Sequence, residues 1–273
     1  GKEFKMSYNE LNSNFGTNRI GGTGVGSKAG QSIYAESSTA KFAVGEKLEL
    51  ADGRTFRYGV TAAAIPAGYL VATDASATCH AKLQNKVQAA AGDYSPAAGS
   101  LKVQIEIASI TANQYAGGYL QIMTAPTTGV GEGIQYRIKS NSATSATVTN
   151  DVDFELYDPI KVALTTASDI MISSNQYNKL VSATTTDILI AGVSPIAFTS
   201  GYYGWFQTSG VATVLMETNG TAVPAIGDNL TLGDGVAGAV QLQDAYTEPL
   251  AGICAQISAD GEYVSVYLRL GAV

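Results

Sequence analysis

Glu46-Lys47-Leu48-Glu49-Leu50-Ala51-Asp52-Gly53-Arg54-Thr55-Phe56-Arg57-Tyr58-Gly59-Val60 is the stretch that decides the fold class. Apolar residues fall at every second position on both sides of Asp52-Gly53. Side chains of a strand point alternately to its two faces, so this pattern describes two half-buried strands. Asp-Gly tolerates the positive φ angles that a tight hairpin turn requires. The stretch is therefore expected to form a β-hairpin.

The same reading extends outward in both directions. Leu101 to Ile107, Gly118 to Met123 and Gly133 to Lys139 alternate cleanly, and Asp153 to Tyr157 is a strand that stops at Asp158-Pro159. Further strands are expected at 187–193, 212–216, 229–232, 250–257 and 262–268, with a glycine-flanked aromatic run over 201–210 and turn signals at Asn219-Gly220 and Asp260-Gly261. Strands at roughly ten-residue spacing with Gly, Pro, Asn and Asp between them are the signature of a sandwich or barrel. The segment 82–91 is the sole helix candidate. The expected fold is all-β: two small β-barrel or sandwich domains, over 46–185 and 186–273, preceded by an extended N-terminal arm over 1–45. A faint echo links Ile65-Pro66-Ala67-Gly68-Tyr69-Leu70 with Val223-Pro224-Ala225-Ile226-Gly227-Asp228-Asn229-Leu230, both turns that launch a strand.

The arm is rich in Gly, Asn, Ser and Thr, yet carries apolar anchors at Phe4, Tyr8, Leu11, Phe15, Ile20, Ile33, Tyr34 and Phe42. A pure linker would carry few such residues. The expectation is an arm whose aromatic side chains plug into pockets on neighbouring subunits.

Composition narrows the function. Charged residues are 14% of the chain, and the formal net charge is −7. Nucleic-acid binding needs a basic face to neutralise phosphates, so it is not expected. Residues 1–60 carry 8 basic and 6 acidic residues, and no Lys or Arg lies between Lys179 and Arg269. No apolar run approaches the length of a membrane-spanning helix, and Gly1 to Glu10 lacks the apolar core of a signal peptide. Cys79 and Cys254, the two cysteines, make no disulfide framework and read as small buried hydrophobes.

Catalytic chemistry finds few supports. His80 is the single histidine. A zinc site would lack ligands, and no GxSxG elbow accompanies it. The glycine run Gly21 to Lys28 has the wrong spacing for a phosphate loop. No enzyme activity and no cofactor are expected. Asp151, Asp153 and Glu155 at i, i+2 and i+4 share one strand face, a spacing compatible with either a Ca²⁺ site or a solvated row of carboxylates. Tyr202, Tyr203, Trp205 and Phe206 form an aromatic run with three readings: core, protein interface with Tyr203 and Trp205 as anchors, or a sugar platform.

The run Gly201-Tyr202-Tyr203-Gly204-Trp205-Phe206-Gln207-Thr208-Ser209-Gly210-Val211-Ala212 resembles a glycine-flanked aromatic strand of phage structural proteins. The apolar strand before it, the turn Val223 to Asp228, the segment Leu250-Ala251-Gly252-Ile253 and the opening Asp52 to Tyr58 with Ile65 to Leu70 are similar to the same type of protein. The resemblance covers about 46–72 and 175–273. It implies a virion protein on the capsid surface: a head decoration or cement protein whose partners are the major capsid protein and copies of itself, as a trimer. The alternatives are another virion part (a tail, a fibre base or the shell protein) and a glycan-binding β module.

Overall fold

The computed structural model describes residues 27–28, 30–75, 80–83, 86–87, 94–125, 130–145, 150–185, 189–218, 222–245 and 248–270. Among the described residues every regular element is a strand. The all-β expectation holds.

The chain divides into two compact units, and the second is inserted in the first: one comprises Gly1–Asp74 with Tyr177–Val273, the other Ala75–Gln176. This corrects the expected boundary at 185/186. The cause is a long-range pairing. The strands of the first unit before the insertion are β1 (Ser27–Lys28), β2 (Gln31–Ser32), β3 (Lys47–Glu49), β4 (Thr55–Val60) and β5 (Leu70–Thr73). The inserted unit holds β6 (His80–Leu83), β7 (Lys102–Glu106), β8 (Tyr119–Ile122), β9 (Gln135–Asn141), β10 (Asp151–Leu156) and β11 (Ile170–Ser173). The first unit resumes with β12 (Leu180–Ser182), β13 (Ile190–Val193), β14 (Tyr203–Leu215), β15 (Asn229–Leu232), β16 (Val240–Leu242), β17 (Leu250–Gln256) and β18 (Tyr263–Arg269). β12 lies antiparallel on β5, with Leu180 opposite Thr73. The Asp74 amide donates to the Lys179 carbonyl at 3.1 Å, so the insertion leaves and re-enters at neighbouring backbone.

The first unit is built on a ten-stranded sheet in the order β12-β5-β13-β14-β18-β17-β15-β16, with β4 paired to β14 and β3 to β4. β3 and β4 form the expected hairpin, Glu49 facing Thr55, and Gly53 takes φ +87° in its turn. β14 is the spine: its first half pairs with β4 and its second half with β18. Beyond β14, Met216 bridges to Val240 of β16, so the far edge of the sheet curls back to meet it. The two echoed turns both carry a positive-φ glycine, Gly68 and Gly227, and each launches a strand, β5 and β15, flanked by two antiparallel partners.

The inserted unit is a six-stranded sheet in the order β6-β11-β8-β9-β10-β7. Val103, Ile105, Leu120, Ile122, Tyr136, Ile138, Val152, Phe154, Ile170 and Ile172 bury one face of it. The expected helix over 82–91 is not formed: Lys82 and Leu83 belong to β6, and Val87 bridges to Ile105. Residues 84–85 and 88–91 of that expectation lie outside the described residues.

Candidate interaction surface

The expected interface anchors go to different places. Phe4, Tyr8 and Phe15 lie outside the described residues. The remainder of the expected arm, from Gly30, is part of the body of the first unit. Gln31 holds it there: its Nε2 donates to the carbonyls of Ala35 and Tyr203 at 2.8 and 3.0 Å, and its Oε1 accepts from the Tyr58 hydroxyl at 2.7 Å. Ile33 is fully buried beneath this lattice.

Trp205 is 0% exposed, which removes it from both the interface and the sugar-platform readings. It packs edge-on to Tyr58 with ring centroids 5.0 Å apart, and Phe42 lies 5.2 Å from it. Tyr203 stacks on Tyr58 at 6.3 Å. Phe42 and Tyr203 are half-buried lids on this core. Such aromatic groupings add stabilisation beyond their buried area through the ring quadrupoles. Burial follows from the lining on both sides of β14: Phe206, next in sequence, points to the opposite face and stacks on Phe198 at 4.6 Å. Of the expected anchors that are described, Tyr34 alone stands out in solvent, 59% exposed.

The carboxylate row of β10 does share one face, but its members are engaged separately. Asp153 Oδ1 accepts from Gln104 Nε2 at 2.9 Å, and Glu155 Oε1 pairs with Lys139 Nζ at 2.9 Å. The Lys139 and Ser140 hydrogen bonds hold the Glu155 carboxyl below its usual value. Asp151 differs. It is buried, its Oδ1 has no hydrogen-bond partner, and burial with the neighbouring Glu106 and Asp153 charges pushes its carboxyl up. No group of three ligating side chains among the described residues is arranged to hold a metal. Cys254 is buried and unpaired, and burial, with the nearby Asp228 charge, raises its thiol. A thiol so raised is a poor nucleophile. Cys79 and the side chain of His80 lie outside what is described.

A groove of about 430 Å³ opens in the first unit, lined by residues from six stretches, represented by Tyr34, Arg54, Gly68, Ser194, Gln207 and Tyr263. It is a break in the sheet. β13 meets β14 at the single pair Val193–Gln207. Contact on that side resumes at Thr213, whose carbonyl lies 3.3 Å from where a Cβ of Gly68 would stand, and at Leu215, whose amide donates to the Gly68 carbonyl at 2.8 Å. Backbone groups of an antiparallel strand face its two neighbours alternately. Leu215 faces away from β18, and so do Thr213, against Gly68, and Val211, at the break. The side chain of Gln207 fills part of the missing ladder: its Nε2 donates to the carbonyls of Ser209 and Val211 at 3.1 and 2.8 Å.

The walls of the groove are fixed. Gly68 has φ +72°, and a Cβ there would stand 2.5 Å from the Tyr263 ring, so only glycine lets the ring lie flat on this backbone. The Tyr263 hydroxyl donates to the Ala67 carbonyl at 3.2 Å. Arg54 pairs with Asp52 at 2.8 Å. Burial alone would lower its guanidinium, but hydrogen bonds to Asp52 and Tyr34 outweigh that and raise it.

Beside the groove, an apolar row crosses the outer face of the sheet. Val211 on β14 lies opposite Tyr267 on β18, and Tyr267 lies opposite Ile253 on β17. Val211 and Tyr267 are 44% and 54% exposed, and Ile253 is half-buried. Paired residues of adjacent strands point to the same face, so the three form one contiguous stripe. Sequence reading misses both features, since periodicity places Val211, Ile253 and Tyr267 on outward faces of separate strands without saying which strands are neighbours. No family model, no curated protein and no solved structure matches the chain.

Proposed function

We propose that the chain is a structural virion protein that decorates the outside of a phage head and binds the shell through the outer face of its larger sheet. The observation that carries this reading is the stripe Val211–Tyr267–Ile253, solvent-facing apolar side chains aligned across three paired strands. Aromatic and aliphatic residues grouped on a rigid, weakly charged face suit protein recognition. In a chain with only 14% charged residues, little on that face opposes close packing against another protein. Each contact is small, and repetition over a lattice of identical sites supplies the strength. The resemblance of Gly201 to Ala212 to phage structural strands points the same way.

The test is co-sedimentation with undecorated phage shells. Saturable binding at a stoichiometry matching the shell lattice is expected, reduced at least about tenfold by Tyr267→Ser with Ile253→Ser, since loss of a central interface aromatic costs about 2 kcal/mol. Absence of binding to shells, with binding to isolated tails or fibres, moves the protein to another part of the virion.

A further inference from the structure

We infer that the groove at the break between β13 and β14 is a binding site for a neutral saccharide, and that it selects a sugar carrying an N-acetyl group. It holds one free acceptor and one free donor. Gln207 is 5% exposed, and its Nε2 is engaged by the Ser209 and Val211 carbonyls, which can only accept. That fixes the orientation of the carboxamide and leaves Oε1 as an acceptor. Among the described residues nothing donates to Oε1, and the atom is not sealed in, so it opens on the groove that Gln207 lines. The Val211 amide faces the same break, turned away from β18, and no described group accepts from it. An acetamido group matches both: its carbonyl accepts from the Val211 N–H, and its N–H donates to Gln207 Oε1. A site built to hydrogen-bond such a group discriminates against the analogue that lacks it, because its own polar atoms are then left unpaired.

The walls suit a sugar ring and disfavour a charged ligand. Tyr34 and Tyr263 line the groove at 59% and 49% exposed, and an aromatic face takes the apolar C–H side of a pyranose. Both rings are held in place: Tyr263 lies over Gly68 with its hydroxyl on the Ala67 carbonyl, and Tyr34 is hydrogen-bonded to Arg54. Arg54 Nε donates to Asp52 at 2.8 Å. The guanidinium N–H groups beyond those on Asp52 and Tyr34 can donate to sugar hydroxyls. The Arg54 charge is already met by Asp52, so a ligand carboxylate or phosphate gains little there, and it would enter the field of a chain with net charge −7. The volume, about 430 Å³, falls within the roughly 300–1,000 Å³ usual for small-molecule sites. The groove lies on the β13 side of β14, whereas the apolar stripe runs from β14 to β17, so this inference does not rest on the decoration proposal.

The experiment is a titration of the isotopically labelled full chain, without shells, followed by amide NMR. The probes are the methyl glycosides of N-acetylglucosamine, N-acetylgalactosamine and glucose. At least one of the two amino sugars is expected to shift the Val211 amide saturably, with a dissociation constant of about 1 mM, the scale for a ligand of roughly fifteen non-hydrogen atoms. The glucoside, which lacks the acetamido group, is expected to bind at least about tenfold more weakly. Tyr34→Ala is expected to weaken binding of the amino sugar at least about tenfold, as loss of an aromatic anchor does. Tyr34 stands in solvent, so the variant should keep the fold, which unshifted Phe56 and Trp205 amides would check. Tyr119→Ala, which removes an exposed tyrosine of the inserted unit, should leave binding unchanged. The inference is overturned if neither amino sugar shifts Val211 at concentrations well above that constant, if the glucoside binds equally well, or if folded Tyr34→Ala binds as the wild type does. The wild-type titration can overturn it without any variant. No shell enters this experiment, so its failure and failure of the decoration proposal are separate results.

Discussion

The inserted unit and the unit that surrounds it bury apolar side chains by different rules. In the inserted unit burial alternates along β7 and β9: Val103 and Ile105 of β7 are inside with Lys102, Gln104 and Glu106 between them, and Tyr136 and Ile138 of β9 repeat the pattern. One face is core and the other is wet. In the surrounding unit the central strands are covered on both faces. All four residues of β5 are buried, and β14 is buried without interruption from Gly204 to Thr208. Trp205 enters one cluster with Phe56 and Tyr58, and Phe206 enters another with Phe198 and Leu180. Alternation is thus a property of a sheet with one core face. Where a returning segment such as 31–42 covers the second face, aromatic residues that look like surface anchors become core.

The strongest test of this division removes the insertion. Replacing 75–176 by a short Gly-Ser linker is expected to leave the surrounding unit folded, because Asp74 and Lys179 are already hydrogen-bonded neighbours. Calorimetry on that variant should show one of the two unfolding transitions missing and the other within a few degrees of its original position. A collapse of both transitions would mean that the two units fold as one.

Trp205→Ala comes next in size. Removing a fully buried large aromatic leaves a cavity and costs about 3–5 kcal/mol. Urea unfolding should show that loss in the transition of the surrounding unit, with the inserted unit unchanged. A cost under about 1 kcal/mol would return Trp205 to the surface.

The smallest effect belongs to the inserted unit. Burial and the facing carboxylates raise Asp151 above its ordinary value of 3.8. The folded state then binds this proton more tightly than the unfolded state does. Its contribution is most favourable at low pH and is lost as pH climbs from about 3.8 through the raised folded value. Asp151→Asn should therefore stabilise the unit at pH 7, by roughly 0.5–1 kcal/mol for relief of like charges across a strand pair. The gain should vanish in acid, as thermal unfolding at a series of pH values would show. Equal midpoints at neutral pH would mean that the carboxylate is already compensated.

Much of the fold was legible. Asp52-Gly53 and Asp260-Gly261 announced hairpins that the structure contains, β3–β4 and β17–β18, because a tight turn needs backbone angles few residues accept. The strands with one wet face were readable from period two alone. Two things were not. The groove is lined from stretches as distant as Tyr34 and Tyr263, and nothing local reports that Gly68 lies under Tyr263. The stretch from Gly30 to Val44 has arm-like composition, yet two hydrogen bonds of the Gln31 side chain, donated to the Tyr203 carbonyl and accepted from the Tyr58 hydroxyl, tie it down.

The amino-acid sequence by itself determined that the chain is all-β, where most of its strands and turns lie, and that its surface is weakly charged. These follow from side-chain alternation and turn chemistry, which act within a few residues of chain. Only the tertiary structure decided that the chain is one unit inserted in another, that Trp205 is core, and that Gly68 lies beneath Tyr263. Those depend on which strands meet across a hundred residues, and pairings of that range leave no local trace because the free energy that selects them comes from the assembled core.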